Sequence, residues 1–239
     1  MKEREDAVYD TLSRALLAGA LAPGAPLRET ALAEVFGVSR ERIRKILLRL
    51  GTNRLIEMIP NRGAFVAAPS LEQARSIYDA RRILEGGIVA HLAQNAGAEA
   101  LRRLDEHMER EQAALAEGDR ATSVRLSADF HMILAEATGN TFILQQMQEL
   151  VSRTSMLVAM YEAPHSAQCA CDEHRDIFTS LLKGDGGGAA RAMRSHLSLV
   201  ETRLRPGAAA PSQDVVGVLL RMWAGQRAAH AAPSADEGR

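Results

Sequence analysis

Between residues 29 and 66 the apolar spacing changes three times, and these changes restrict the fold more than any other feature of the chain. Leu32, Val35 and Phe36 share one side of a short helix beginning at Glu29 or Thr30. Gly37 stops it, at a position where a left-handed C-cap costs glycine little. Ser39 suits an N-cap. Ile43, Ile46, Leu47 and Leu50 then form one apolar stripe of a second helix. Two helices around a tight glycine turn make a helix-turn-helix. Next, Leu55-Ile56-Glu57-Met58-Ile59 and Ala64-Phe65-Val66-Ala67 flank Pro60-Asn61-Arg62-Gly63 and read as a hairpin. A helix over about 4–18, carrying Val8, Leu12, Ala15 and Leu16, precedes them and ends at Gly19 and the Pro23-Gly24-Ala25-Pro26 cluster. Helix, helix-turn-helix and hairpin in that order are a winged helix.

Charge gives this unit a use. The net charge of the chain is only −1, but residues 1–70 hold 11 basic and 8 acidic residues, and the remainder holds 18 and 22. Residues 40–62 carry seven basic side chains (Arg40, Arg42, Arg44, Lys45, Arg49, Arg54, Arg62) against Glu41 and Glu57. A charge run alone is a solvated helix face; on a recognition helix and wing it is the footprint of phosphate contact. Arg40 and Arg44 stand one turn apart near the helix start, where arginine reads guanine in the major groove. Glu41 can accept from a cytosine amine or favour the helix N-terminus. Arg62 at the wing tip suits phosphate or the minor groove, and Arg28 a phosphate. Ser39, Arg42, Lys45, Arg49 and Gly63 complete the expected DNA-binding set. Leu48 falls within the charged arc, facing either a thymine methyl or another part of the protein.

From Ser70, which with Gln73 matches a capping box, the pattern is helical: 71–95, 98–117, 120–138, 141–161, 168–183 and 187–204. There is no βαβ alternation. The expected fold is mostly α: a winged helix-turn-helix over 1–69 and an antiparallel all-α bundle over 70–205. A linker (206–211), a short apolar segment (about 214–224) and a disordered last dozen residues follow. Two cysteines exclude a disulfide scaffold and suit a cytoplasmic location. No apolar run approaches the roughly 18 residues that cross a membrane.

These residues resemble the FadR-type branch of the GntR family of bacterial transcription regulators. The resemblance is carried by Val8-Tyr9, Pro23-Gly24, Leu32-Ala33-Glu34, Gly37-Val38-Ser39-Arg40 and Pro60 through Val66. In the helical part it continues through Tyr78 to Glu85, Phe130-His131, Gly139-Asn140, Glu173-His174-Arg175, and Met193 with His196-Leu197. It implies a homodimer on a palindromic DNA operator, released by a small-molecule effector. Where the family usually has Ser-Arg-Thr-Pro-Val-Arg-Glu, this chain has Ser39-Arg40-Glu41-Arg42-Ile43-Arg44-Lys45, which keeps both arginines and implies a changed operator preference.

His131, His174 and His196 lie on three separate helices. Each alone fits a core position, but a bundle can gather them around one ion, and imidazole binds zinc, nickel or copper. The resemblance strengthens this, because metal-binding members use three matching His and an Asp one turn before the first. Here Ser127 stands at that place, and Asp129 points to the opposite side. Three outcomes stay open: zinc or nickel on three His with water completing the set, Ser127 as a contact to that water or a weak ligand, or a metal-free pocket. Loss of an anionic ligand favours a carboxylate effector. Arg81, which matches the family's Arg-x-x-Leu-Glu, and Arg153 are the candidate clamps. Cys169 and Cys171, near His165, diverge on a helix and read as free thiols. Met147, Met156 and Met160 read as core. The rival is a metal-dependent hydrolase with Glu136 or Glu173 as base, but no catalytic signature is present, so a non-enzyme is expected. A second rival is an architectural DNA-binding protein with no effector.

Overall fold

The computed structural model describes residues 2–163, 167–205 and 211–231. Helix α1 (Lys2–Leu17) buries Val8, Leu12, Ala15 and Leu16, the residues whose spacing predicts it. Strand β1 (Pro26–Leu27), helix α2 (Glu29–Phe36) and helix α3 (Arg40–Thr52) follow. Gly37 takes φ 61° between the two helices, a conformation open to glycine without a Cβ clash. Ser39 caps α3, its side chain accepting from the Arg42 N–H. The buried stripe of α3 is Ile43, Ile46, Leu47 and Leu50. Strands β2 (Ile56–Ile59) and β3 (Gly63–Val66) pair antiparallel from Ile56↔Val66 to Ile59↔Gly63. Their turn places Asn61 at φ 60° and Gly63 at φ 97°. The sheet has a third member that the sequence reading omits: β1 pairs with β3, in the order β1-β3-β2. Two residues are too few to show alternation, and a proline is tolerated only at such an edge.

The helical part is α4 (Leu71–Asn95), α5 (Ala98–Ala116), α6 (Arg120–Ala137), α7 (Thr141–Tyr161), α8 (Ala167–Leu182) and α9 (Gly186–Arg203). Side chains cap four of them at the expected breaks: Ser70, Asp119, Asn140 and Asp185. Their core holds Tyr78, Val89, Phe130, Leu157, Ile177, Met193 and Leu197, with Met147 among them.

The C-terminal part departs from expectation. The apolar segment expected at about 214–224 is helix α10 (Val215–Ala231), which runs on into the tail read as disordered. Residues 206–210 of the expected linker and 232–239 of the tail lie outside the described residues. Val215, Val218 and Leu219 of α10 are buried in the same cluster as Val8, Leu12 and Phe36. Trp223 meets Phe36 edge to face, with ring centroids 5.2 Å apart. The physical reason for the misreading is that an apolar face only reveals its partner once the chain has folded back. The same cluster takes in Ala121 and Val124 of α6 and Met156 and Met160 of α7. The winged helix and the bundle are therefore joined by packed apolar surface as well as by residues 67–70. Among the described residues, no helix is long and apolar enough to cross a membrane.

Candidate functional site

The outward face of α3 presents Arg40, Glu41, Arg44, Lys45 and Leu48, all exposed; Leu48 is 52% exposed and borders a surface groove with Gly51 and Met58. Arg44 is held rather than free: its Nε and Nη2 donate to the two oxygens of Glu29, each at 2.9 Å. The fork holds the Glu29 carboxyl below its ordinary range, the Arg44 hydrogen bond being the main cause. Arg40 approaches the same carboxylate at 3.8 Å. Glu29 at the start of α2 thus sets the direction of both arginines. Lys45 pairs with Glu41 at 3.6 Å. Arg28 and the wing residues Arg62 and Gly63 are exposed, and the Arg62 guanidinium lies 5.4 Å from the Phe65 ring centroid. Arg42 and Arg49 point elsewhere. Arg42 pairs with Glu5 of α1 at 3.3 Å, and Arg49 pairs with Asp6 and stacks on Tyr9 at 3.8 Å.

In the bundle, α6, α8 and α9 bring His131, His174 and His196 together, all buried, with one nitrogen of each within 4.8 Å of the others. Each ring is aimed by a carboxylate from another element. His131 Nδ1 donates to Glu85 at 2.5 Å, His174 Nδ1 to Glu111 at 2.9 Å, and His196 Nδ1 to Glu173 at 2.8 Å. Phe130 stacks on His174 with centroids 4.0 Å apart. The Nε2 atoms then face one another: His196 Nε2 lies 3.3 Å from that of His174 and 3.3 Å from that of His131. Burial pushes His131 down to about 4 and His196 well below its ordinary value, so both rings are neutral near pH 7. Two bare lone pairs thus point together with no proton between them. Nitrogens about 2.0–2.1 Å from a tetrahedral centre stand about 3.3 Å apart, so the residues present fit a metal ion. The neighbouring carboxylates are the usual second contacts of such ligands.

A small cavity, about 40 Å³, opens beside the His set and is lined by Tyr78, Arg81, Ser127, His131, Thr154 and His196 among others. Arg81 is only 4% exposed. Its Nε donates to Glu85 at 2.5 Å and its Nη1 to Thr154 at 2.8 Å, but Nη2 has no partner, and neither has Tyr78 Oη. Burial raises Glu85, but Arg81 and His131 outweigh it and hold the carboxyl at about 2. Burial also pushes the Tyr78 phenol up, so it remains a donor. A buried donor left unpaired costs about 1–3 kcal/mol, so an acceptor entering this cavity would be favoured by both donors.

The sequence pattern of the FCD domain matches residues 76–199, more than half of the chain, and that of the bacterial regulatory proteins, gntR family, matches residues 4–66. The chain belongs to the GntR family. The HTH-type transcriptional repressor RspR of Escherichia coli K12 is 25% identical over 199 residues, covering 83% of this regulator and 87% of that protein. The HTH-type transcriptional regulator LutR of Bacillus subtilis 168 is 26% identical over 205 residues, covering 77% and 93%. Among solved structures, a GntR regulator from Rhodococcus sp. RHA1 superposes with TM-score 0.70 at 24% identity, covering 84% and 96%. Escherichia coli McbR/YncC superposes with TM-score 0.66 at 23% identity, covering 82% and 94%. These two show the shared fold.

In this GntR regulator the predicted residues divide. Arg81, Ser127, His131 and His196 border one cavity, and His174 completes the His set beside it. Arg153 does not join them: it lies half-buried in a groove between α4 and α7 and pairs with Glu149 at 2.9 Å. Asp129 pairs with Arg125 at 2.8 Å, away from the His set. Cys171 is a free, half-buried thiol that burial pushes up to about 12; His165 and the Cys169 side chain lie outside the described residues. The hydrolase alternative finds no support, because Glu173 is engaged by His196 and Arg203 and Glu136 pairs with Arg103. The sequence reading missed Glu29, Tyr78, Glu85, Glu111 and Glu173 as partners. The i,i+4 spacing of Arg81 and Glu85 could have exposed one of them; Glu111 and His174 are 63 residues apart and carry no such signal.

Proposed function

We propose that this ligand-responsive GntR/FCD transcription regulator is a homodimeric repressor. It binds a palindromic operator and releases it when a carboxylate metabolite enters the His-lined cavity. The observation that carries the effector reading is the pair of unpartnered donors, Arg81 Nη2 and Tyr78 Oη, beside the His set. A carboxylate would satisfy both, and charge-assisted pairing with arginine is the stronger kind. His131, His174 and His196 would hold zinc or nickel through Nε2, with Glu85, Glu111 and Glu173 fixing the rings. Bound there, the ion supplies a Lewis-acidic point for an effector oxygen.

On the DNA side, Arg40, Glu41, Arg44, Lys45 and Leu48 would meet base edges, with Arg28, Arg62 and the backbone at Ser39 and Gly63 on phosphates. Arg42 and Arg49 would brace α3 against α1. Large apolar side chains left open, Ile83 on α4 at 80% and Phe142 on α7 at 79%, support self-association. Repression is favoured because the Escherichia coli relative RspR is a transcriptional repressor. Coupling would run through α6 and α7, whose Val124, Met156 and Met160 pack into the winged-helix core while Ser127, Thr154 and His131 line the cavity. An effector that displaces these helices has different affinity for the two arrangements, which is what linkage requires.

The test is a thermal-shift screen of carboxylates with metal present, followed by operator titration. A binding acid should raise Tm and weaken operator binding in the wild type but do neither in Arg81→Gln, whose operator affinity without effector is retained. An undiminished response in Arg81→Gln would overturn the clamp.

A further inference from the structure

The His-lined cavity, at about 40 Å³, is far smaller than the roughly 300–1,000 Å³ of ordinary ligand pockets. It has room for a carboxylate, not for a whole metabolite. A second cavity of about 410 Å³ lies alongside it, walled by α5, α6, α7 and α8. Val124, Ser127 and Val158 line both cavities. Only a hydroxymethyl group and two isopropyl groups are shared between them, and no charged side chain is among the three.

We infer that the two cavities are one divided site, and that the effector is a carboxylic acid with an aliphatic tail. Its carboxylate meets Arg81 and Tyr78, and its tail passes Ser127 into the larger cavity. This rests on the carboxylate reading above.

Charge sets the orientation. The larger cavity is bordered by Glu111 and Glu162, which repel an acid group. Among the described residues its one cation, Arg120, is already engaged by the carbonyls of Val158 and Glu162 at 3.0 and 2.7 Å. The rest of the exposed wall is mainly apolar, including Leu115, Val124 and Ala170. The unpartnered Arg81 Nη2 lies at the small end. Head and tail therefore have separate compartments of matching polarity.

The experiment is calorimetric titration of the full chain with acetate, butyrate, hexanoate and octanoate. Affinity should rise about fourfold per added methylene while the tail is being buried. Ala170→Phe fills the larger cavity, and Ala170 does not line the small one. In Ala170→Phe, octanoate affinity should fall toward that of acetate while acetate binding is kept, and Arg81→Gln should abolish the whole series. Acetate binding with no chain-length dependence, or octanoate binding untouched by Ala170→Phe, overturns the tail assignment and leaves the carboxylate reading standing. Absence of binding by every acid, or a series unaffected by Arg81→Gln, defeats the carboxylate reading and the tail with it.

Discussion

At the scale of single residues, a histidine here gets its role from the group behind it. His174 could have been an inert core ring; Glu111 on its Nδ1 turns Nε2 toward two other imidazoles. Metal analysis of untagged protein should therefore show bound zinc or nickel in the wild type and a large loss in His174→Ala, since three ligands become two. Equal content in both proteins would refute the three-His site. Glu111→Gln keeps the shape but weakens the orienting charge; chelator competition should show metal affinity lower by about 10–100-fold. The three His were legible in the sequence, because each stands on its own helical segment. Their carboxylate partners were not, because they come from distant helices whose facing sides the one-dimensional pattern does not define.

At the scale of elements, α3 separates its basic residues by direction. Arg44→Ala removes an outward arginine and should lower specific operator affinity by about ten- to a hundredfold; unchanged affinity in an operator titration would sink that assignment. Arg49→Ala should instead lower Tm with base preference intact, because Arg49 stacks on Tyr9 and pairs with Asp6. The start of α6 gives a pH test. Burial raises the Asp119 carboxyl, but the N–H and hydroxyl of Thr122 and the Arg14 guanidinium outweigh it and hold it below its ordinary value. A carboxyl with a depressed folded pKa stabilises fully above its unfolded value, about 3.9, and loses that contribution as pH falls through the folded value. Asp119→Ala should cost about 1 kcal/mol near neutral pH, and the difference from wild type in urea melts should shrink below about pH 4. A penalty that stays constant down to pH 3 would contradict this.

At the scale of the whole molecule, α10 and the bundle share one apolar cluster with the winged helix. Trp223→Ala withdraws the ring from Phe36; because Trp223 is only half-buried, the cost should be about 1–3 kcal/mol, less than for a fully buried aromatic. Thermal melts should register this as a lower Tm. Shared packing also predicts a single calorimetric transition for both parts; two resolved transitions would show that the α6 and α7 contacts contribute little. The same packing gives an effector event a short route to the reading head, since Val124 of α6 packs into the winged-helix cluster and also lines the cavity beside the His set.

The sequence by itself determined the elements and their order. Gly37, Ser39 and the Ile43–Leu50 stripe specify the helix-turn-helix, the Pro60–Gly63 turn specifies the wing, and the glycine breaks divide the bundle. These are local effects, acting within a turn or two of chain. Tertiary structure alone decided which faces met. It paired Arg44 with Glu29, turned Arg49 and Arg42 toward α1, left Arg153 outside the His cavity, and laid α10 against Phe36. The physical reason is that burial and partner choice depend on groups distant in sequence, and an apolar or charged face accepts many partners until packing selects one.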